Sequence, residues 1–442
     1  MRIIPLLLPF ATLWLASCVR YAAGPLDAGH SAAAFAGRSL DDAGLRQFLA
    51  SQGAGSGAWK VNRLALVAAY FQGEVAVARA EAEAASAAIL TAGQRPNPVL
   101  SFAPSYNTSS SGISPWILSP ALDVTLETAG KRGHRQASAR ATAEAAQFRV
   151  AAAAWDARSK VRTAMLDIYA AQENTALLQA EVALHQGAVE KLSAQVAAGE
   201  APAFEVTQER LGLSRAELAL HDAEKLDATS RAQLAAAVGV SAAALNAATL
   251  DFSDFTAMPA TPGSVARRRA LVHRADLLAA LADYAAADAD LRLEIAKQYP
   301  DVHLNPGYEF DQGDNKWSLG FGVELPILNQ NRGPIAEAEA KRKTAAAKFE
   351  AKQQAVFGEI ETALAGYHAA TAKVATAARL AEETAHASDT TRRMIEAGEL
   401  ASLELTRRQI EASAAKLSLL EARIQAQQAA GQIEAALQVP LH

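Results

Sequence analysis

Ala198-Gly199-Glu200 and, a few residues on, Glu205-Val206-Thr207 return 199 positions later as Ala397-Gly398-Glu399 and Glu404-Leu405-Thr406. The register reaches far back from these turns. Val161, Ile168, Thr175, Val182, Val189 and Val196 stand at seven-residue steps, and Ile360, Tyr367, Val374, Ala381, Ser388 and Ile395 repeat them at the same offset. Upstream the offset drifts slightly: Gly133 matches Gly333, and Trp116 matches Trp317. A duplication of this length means two copies of one structural unit, each needing neighbours for its apolar faces.

The seven-residue stretches are helical. No proline occurs from Ala121 to Ala201 or from Ile335 to Val439. A helix from about Arg135 to Ala197 would be on the order of 90 Å long at 1.5 Å per residue. Its heptad spacing marks a supercoiled packing. The seam is mostly small residues rather than leucine, which suits a helix touching neighbours on both sides, as in a tube wall. Gly199 and Gly398 close the long helices, since glycine accepts the left-handed conformation. Second helices follow over Phe204–Val238 and Leu403–Leu437, making two antiparallel hairpins with tight tips.

Ahead of each helical pair the period falls to two. Leu100, Phe102, Pro104 and Tyr106 alternate with small polar residues, as do Leu118, Pro120, Leu122, Val124 and Leu126. In the second copy Val302, Leu304, Pro306, Tyr308 and Phe310 share one face, and Trp317, Leu319, Phe321, Val323 and Leu325 another. Runs of about ten residues, greasy on one side and polar on the other, match a tilted membrane strand. The prolines at 104, 120 and 306 fit only edge or bulge positions.

Of the 442 residues half are hydrophobic but only 6% aromatic, with a visible excess of alanine. Closely packed helices suit that mix better than aromatic-rich globular cores. A net charge of −5 argues against a nucleic-acid partner. The nine histidines are scattered without ligand spacing and methionine is scarce, so neither a catalytic set, a cofactor nor a metal centre is expected.

Arg2 and the apolar run Ile3–Leu15 read as a targeting signal, too short for a permanent span. Leu15-Ala16-Ser17-Cys18 resembles a bacterial lipobox, with Cys18, the sole cysteine, as the lipidated residue. Val19 beside it favours, by the same resemblance, the outer membrane. The expected organisation is a signal peptide over 1–17 and a lipidated leader over 18–60. A first repeat follows over 61–250 (strands about 99–106 and 116–127), then a linker over 251–264. The second repeat occupies 265–440 (strands about 301–310 and 317–326). Val61–Ala92 is expected as one helix.

Four strands cannot close a barrel, and open edges in lipid cost several kcal/mol per unpaired group. Three copies would supply twelve. The duplication, Pro96-Asn97-Pro98 before the first hairpin, Leu325-Pro326-Ile327-Leu328-Asn329 after the second, Asn331-Arg332-Gly333 opening the next helix and the Gly-Glu tips together resemble the TolC-type outer-membrane efflux family. The resemblance covers about Val61 to the C-terminus, and Gly93–Pro98 is similar to the branch serving heavy-metal exporters of the resistance-nodulation-division class. It implies a mainly α chain with transmembrane β: duplicated helical hairpins forming a periplasmic α-barrel, and four strands per chain in a shared twelve-stranded trimeric β-barrel. A passive duct of this kind sits in outer-membrane lipid and works with a periplasmic adaptor and an inner-membrane pump. No enzymatic activity is implied.

Position then nominates residues. Asp123, Glu127, His303, Glu309 and Glu324 alternate inward on the strands, and their carboxylates would make the lumen cation-preferring. Gly199, Glu200, Glu205, Gly398, Glu399 and Glu404 lie at the tips, where the family's entrance and adaptor contacts are. A tip glutamate can also be a solvated charge favoured by the helix dipole. Two other readings share these features: the duct of a type I protein-secretion system, and a periplasmic coiled-coil lipoprotein without a channel.

Overall fold

A computed structural model describes residues 21–109, 112 and 114–441. The targeting segment and Cys18 lie outside the described residues. Two short helices, α1 (Ala28–Ala36) and α2 (Ala43–Ser51), open the described chain. The first repeat then runs α3 (Val61–Phe71), α4 (Gly73–Ala92), β1 (Val99–Tyr106), β2 (Trp116–Leu126), α5 (Lys131–Ala197) and α6 (Ala203–Val238). A short α7 (Ala242–Asn246) and a single helical turn at Ser253–Phe255 connect it to α8 (Ser264–His273). The second repeat opens with α8, as the first does with α3, and continues as α9 (Ala275–Ala296), β3 (Val302–Asp311), β4 (Asp314–Val323), α10 (Arg332–Glu396) and α11 (Ser402–Leu437).

The expected single helix over Val61–Ala92 is broken at Gln72, which takes an extended conformation. Its side-chain oxygen accepts from the Val75 N–H, so the break is a capped helix start. At 67 residues, α5 is about 100 Å long. It touches α3, α4, α6, α9 and α11, which explains why its apolar residues form no single stripe. Fully buried alanines, among them Ala145, Ala171, Ala422, Ala426 and Ala430, let these helices approach closely.

The largest core lies midway along α5, where Val161, Met165 and Ile168 meet Leu45, Leu64, Leu234 and Val238. Phe255 of the inter-repeat connection is buried in this core, so the linker is packed rather than free. A second core joins Val356, Ile360 and Tyr367 of α10 to Ile433 and Leu437 of α11. A polar staple ties the two repeats. The buried Arg162 guanidinium donates to the Gln427 backbone oxygen at 2.8 Å and to Gln427 Oε1 at 3.1 Å. Gln427 Nε2 in turn donates to the carbonyls of Phe255 and Ala257.

The four strands form one antiparallel sheet in sequence order, with β2 of the first repeat paired to β3 of the second. Strand β4 begins and ends three residues earlier than its alternation suggests. Gln312 and Gly313, both at positive φ, make a two-residue turn, so Asp314, Asn315 and Lys316 join the ladder. Pro326 lacks the N–H needed to carry the ladder further. Of the prolines, only Pro104 sits on an edge strand. Pro120 and Pro306 occupy inner strands, and the β2–β3 pairing skips from Leu118↔Phe310 to Ala121↔Gly307 and then to Val124↔Leu304. The ladder opens where a donor is missing.

Candidate functional site

The sheet has one apolar face with nothing over it. Directly opposed residues share a face, so the register puts Leu100, Phe102, Tyr106, Trp116, Leu118, Leu304, Tyr308, Trp317, Leu319 and Phe321 on the same side. Trp317 is 83% exposed and Phe321 79%. The aromatic pairs Tyr106–Trp116 and Tyr308–Trp317, with ring centroids 5.1 and 4.9 Å apart, cluster near the hairpin turns. Such a band of aromatics bordering an apolar belt is how a strand wall meets lipid headgroups. Among the described residues no helix is long and apolar enough to cross a membrane.

The opposite face is polar, and Asp123, Glu309 and Glu127 each have a partner. Asp123 Oδ1 lies 3.1 Å from His303 Nδ1, with Thr125 Oγ1 3.4 Å from the same nitrogen. Glu309 accepts from Ser119 Oγ at 3.4 Å and sits 3.6 Å from Lys316 Nζ, which also reaches Asp311 at 2.6 Å. Glu127 follows the end of β2 and accepts from both terminal nitrogens of Arg135, with Arg135 Nη2 3.1 Å from its Oε2. Glu324 falls one residue past the end of β4. Lys316 and Arg135 thus stand beside the carboxylates of this face, which carries charge of both signs. Lys316 and Arg135 were missed because they belong to a turn and a helix start in the sequence reading.

Where the sheet meets the helices, left-handed residues redirect the chain. Gly130 (φ 70°) and Asn331 (φ 57°) are the N-caps of α5 and α10. Asn331 Nδ2 donates to the Glu294 backbone oxygen at 2.7 Å, which anchors a conformation costly for a residue with a Cβ. Lys131 Nζ and the Thr128 N–H both donate to Asp301 Oδ1, joining the two repeats at the base of the sheet.

At the far end, Gly199 (φ 75°) and Gly398 (φ 78°) close α5 and α10. The N–H groups of Glu200 and Glu399 reach back to the Gln195 and Met394 carbonyls at 2.8 and 2.9 Å, a Schellman closure in both copies. Glu200 and Glu399 are exposed. Glu205 is not free: its Oε2 lies 3.0 Å from Arg407 Nη2 of the other hairpin. Glu404 Oε1 is 3.0 Å from Arg408, four residues on. Glu411, hydrogen-bonded to Arg408, and Glu404 beside it push that guanidinium's pKa up. Lys191 Nζ donates to Thr406 Oγ1 at 2.7 Å, and Ala188, Leu192 and Leu403 bury one another beneath these contacts. Arg407 and Lys191 could have been found in the sequence as positions where one copy is charged and the other, at Gln208 and Thr390, is not.

A family model for the outer membrane efflux protein matches residues 72–240 and again 266–438. The chain belongs to that family. The cobalt-zinc-cadmium resistance protein CzcC of Cupriavidus metallidurans is 26% identical over 219 residues, 49% of this chain and 52% of CzcC. The probable outer membrane lipoprotein SilC of Salmonella typhimurium is 26% identical over 171 residues, 34% of this chain and 37% of SilC. The matched stretches thus span about half or less of these relatives' length. The solved outer membrane protein VceC of Vibrio cholerae has the same fold, with a TM-score of 0.70 at 20% identity over 86% of this chain and 97% of its own. The duplicated hairpins and the four-stranded sheet are therefore the family's architecture.

Proposed function

We propose that this chain is the outer-membrane channel of a tripartite efflux system, a passive trimeric duct. One observation carries the reading: every contact between the two repeats has a counterpart that the single chain leaves open. In the chain, α5 packs on α9 and α11, and β2 pairs with β3. The equivalent contacts for the second repeat would be α10 on α4 and α6, and β4 with β1. Both β1 and β4 are sheet edges, and they run in opposite directions. Repeating the within-chain step therefore closes an antiparallel ring, and three copies supply twelve strands. Closure removes the unpaired edges that lipid penalises.

The helices continue that ring as a tube, with Gly199, Glu200, Glu205, Gly398, Glu399 and Glu404 at its periplasmic entrance. There a periplasmic adaptor would dock and an inner-membrane pump of the resistance-nodulation-division type would supply the energy. Asp123, His303 and Glu309 would line the lumen. Cys18 would carry the lipid, in keeping with the name of SilC, and the name of CzcC favours metal ions among small-molecule cargoes.

Purification in detergent followed by light scattering and planar-bilayer recording tests the reading. A trimer with discrete ion conductance is expected; a non-conducting monomer overturns it. Cys18→Ala should abolish labelling by radioactive palmitate, and persistent labelling would exclude the lipobox. Deletion of the gene should raise sensitivity to divalent metal salts more than to dyes. The opposite order would remove metals as the cargo.

A further inference from the structure

Upstream of each strand pair the chain breaks between two helices in the same way. Gln72, between α3 and α4, and Arg274, between α8 and α9, are both extended (ψ 132° and 136°), and each is the N-cap of the helix that follows. The offset between them is 202, which continues the upstream drift from 199, so α8 is the second copy of α3. The two copies have different surroundings. In the first, α2 lies on α3, and its Leu45 and Leu49 share a core with the fully buried Leu64 and Val67. The leader occurs once. Helix α8 packs on α9, α10 and α11 and has no counterpart of α2 over it.

The side chains change to match. Ala65, Leu66 and Val67 of α3 become Arg267, Arg268 and Arg269 of α8, while Ala270 keeps the buried place of Ala68. Helical periodicity sets Arg268 on one side, and Arg269 and His273 on the other, of a stripe made by Val265 and Val272. All five are exposed, the two valines at 70% and 57%. Among the described residues no carboxylate lies within ion-pairing distance of the three arginines, and the buried Nε of Arg267 has no acceptor. Other surface arginines do find carboxylates, as Arg149 finds Asp283 and Arg407 finds Glu205. Three unpaired guanidiniums in a row repel one another, and an unsatisfied buried donor adds to the cost. An anion accepting from them relieves both.

We propose that this face of α8 docks peptidoglycan, with Arg267, Arg268 and Arg269 taking the carboxylates of its stem peptides. Depth selects the partner. Helix α9 has 22 residues and runs beside α5 and α10, so α8 stands about 33 Å from the sheet. That is beyond the headgroup layer, which excludes anionic lipid. On the reading of the chain as a trimeric duct, on which the proposal rests, a second layer of short helices inside the tube would plug it, so α8 faces the periplasm. A duct that reaches an inner-membrane pump crosses the cell wall on the way. That wall is a polymer rich in peptide carboxylates and alanyl methyl groups. Guanidiniums bind carboxylates through two parallel hydrogen bonds, and the valine stripe suits the methyl groups. Three copies present the face three times around the axis, so individually weak contacts with one polymer add up.

Co-sedimentation of the detergent-solubilised full chain with purified sacculi tests it. The parent should pellet with the sacculi, and less so as salt rises. Arg268→Glu with Arg269→Glu should lower the affinity by about tenfold while leaving helical content and size unchanged. Lys341→Glu with Lys343→Glu makes the same change in charge at exposed positions of α10 and should leave the affinity as it was. Equal loss from both pairs, or no loss from the arginine pair, overturns the site. Arg268→Cys should react with a membrane-impermeant maleimide in the assembled protein; an unreactive thiol would mean that a neighbouring copy covers this face, and overturns the docking. A parent that sizes as a trimer and conducts ions but stays in the supernatant overturns the proposal, gives the face to an acidic protein surface instead and leaves the channel reading standing. A parent that is a non-conducting monomer overturns both.

Discussion

The Arg407 guanidinium of α11 lies 3.0 Å from the Glu205 carboxylate of α6, although the two are 202 residues apart in sequence. The contact links the tip of the second hairpin to the tip of the first. Both side chains are partly exposed, so the pair is worth only about 0.5 kcal/mol of stability. Its value lies in where it holds the hairpins. Arg407→Glu should leave the thermal midpoint nearly unchanged and raise the open fraction of the channel by up to about fivefold, the equivalent of ~1 kcal/mol. The double exchange Glu205→Arg with Arg407→Glu should restore the parent behaviour. Single-channel recording reads both, and an unaltered open fraction in the single variant would mean that the pair does not control opening of the proposed channel.

Lys316 neutralises Glu309 and Asp311 on the polar face of the sheet. Lys316→Ala should unmask them and shift the reversal potential in a KCl gradient towards cations. Glu309→Gln in the same background should reverse the shift. No change in either variant would mean that this face does not line the conducting path.

Arg274 is buried beside Asp276, at 2.8 Å, and Lys352 approaches the same carboxylate at 3.0 Å. Burial pushes the Asp276 carboxyl up, but the hydrogen bonds and charges of Arg274 and Lys352 outweigh it and hold its pKa below the ordinary value. The stabilisation is therefore complete above the unfolded value of about 3.9 and is lost as pH falls through the lower folded one. Asp276→Asn should cost about 1.5 kcal/mol at pH 7, because it removes one of the two carboxylates on a buried guanidinium and leaves Glu359, at 2.6 Å, as the other. Thermal melts of the two proteins should converge in strong acid; a constant gap would mean that the charge is not responsible.

Gly431 faces the Arg162 guanidinium so closely that any Cβ there would collide with it. Gly431→Ala should push Arg162 away from Gln427 and destabilise the chain by about 1–3 kcal/mol. Gly366, on α10, has open space at its Cβ position. Gly366→Ala should be neutral or slightly stabilising by helix propensity. Equal effects at the two positions would contradict the staple.

Much of this architecture was legible because its signals are periodic and occur twice. The heptads of α5 and α10 and the alternation of β3 each repeat one physical requirement over many residues, so a single misfit does not obscure them. The tips were legible for another reason: only a glycine-like backbone closes a Schellman turn, and Gly199 and Gly398 announce it. The candidate site was less legible. Asp123, Glu309 and Glu205 were visible as charges in suggestive places, but their hydrogen-bonding and ion-pair partners come from elsewhere in the chain. His303, Lys316 and Arg407 reach them across strand pairs or helix pairs that no local pattern encodes.

The sequence by itself determined the duplicated unit, the strand and helix periods and the left-handed helix ends, because each depends on the sterics and polarity of residues close along the chain. Only the tertiary structure decided that the polar face of the sheet carries mixed charge, that the linker is packed into the core through Phe255, and that α6 and α10 keep uncovered apolar faces while α5 and α11 do not. Those outcomes depend on which surfaces meet, and that is set by packing between segments some two hundred residues apart.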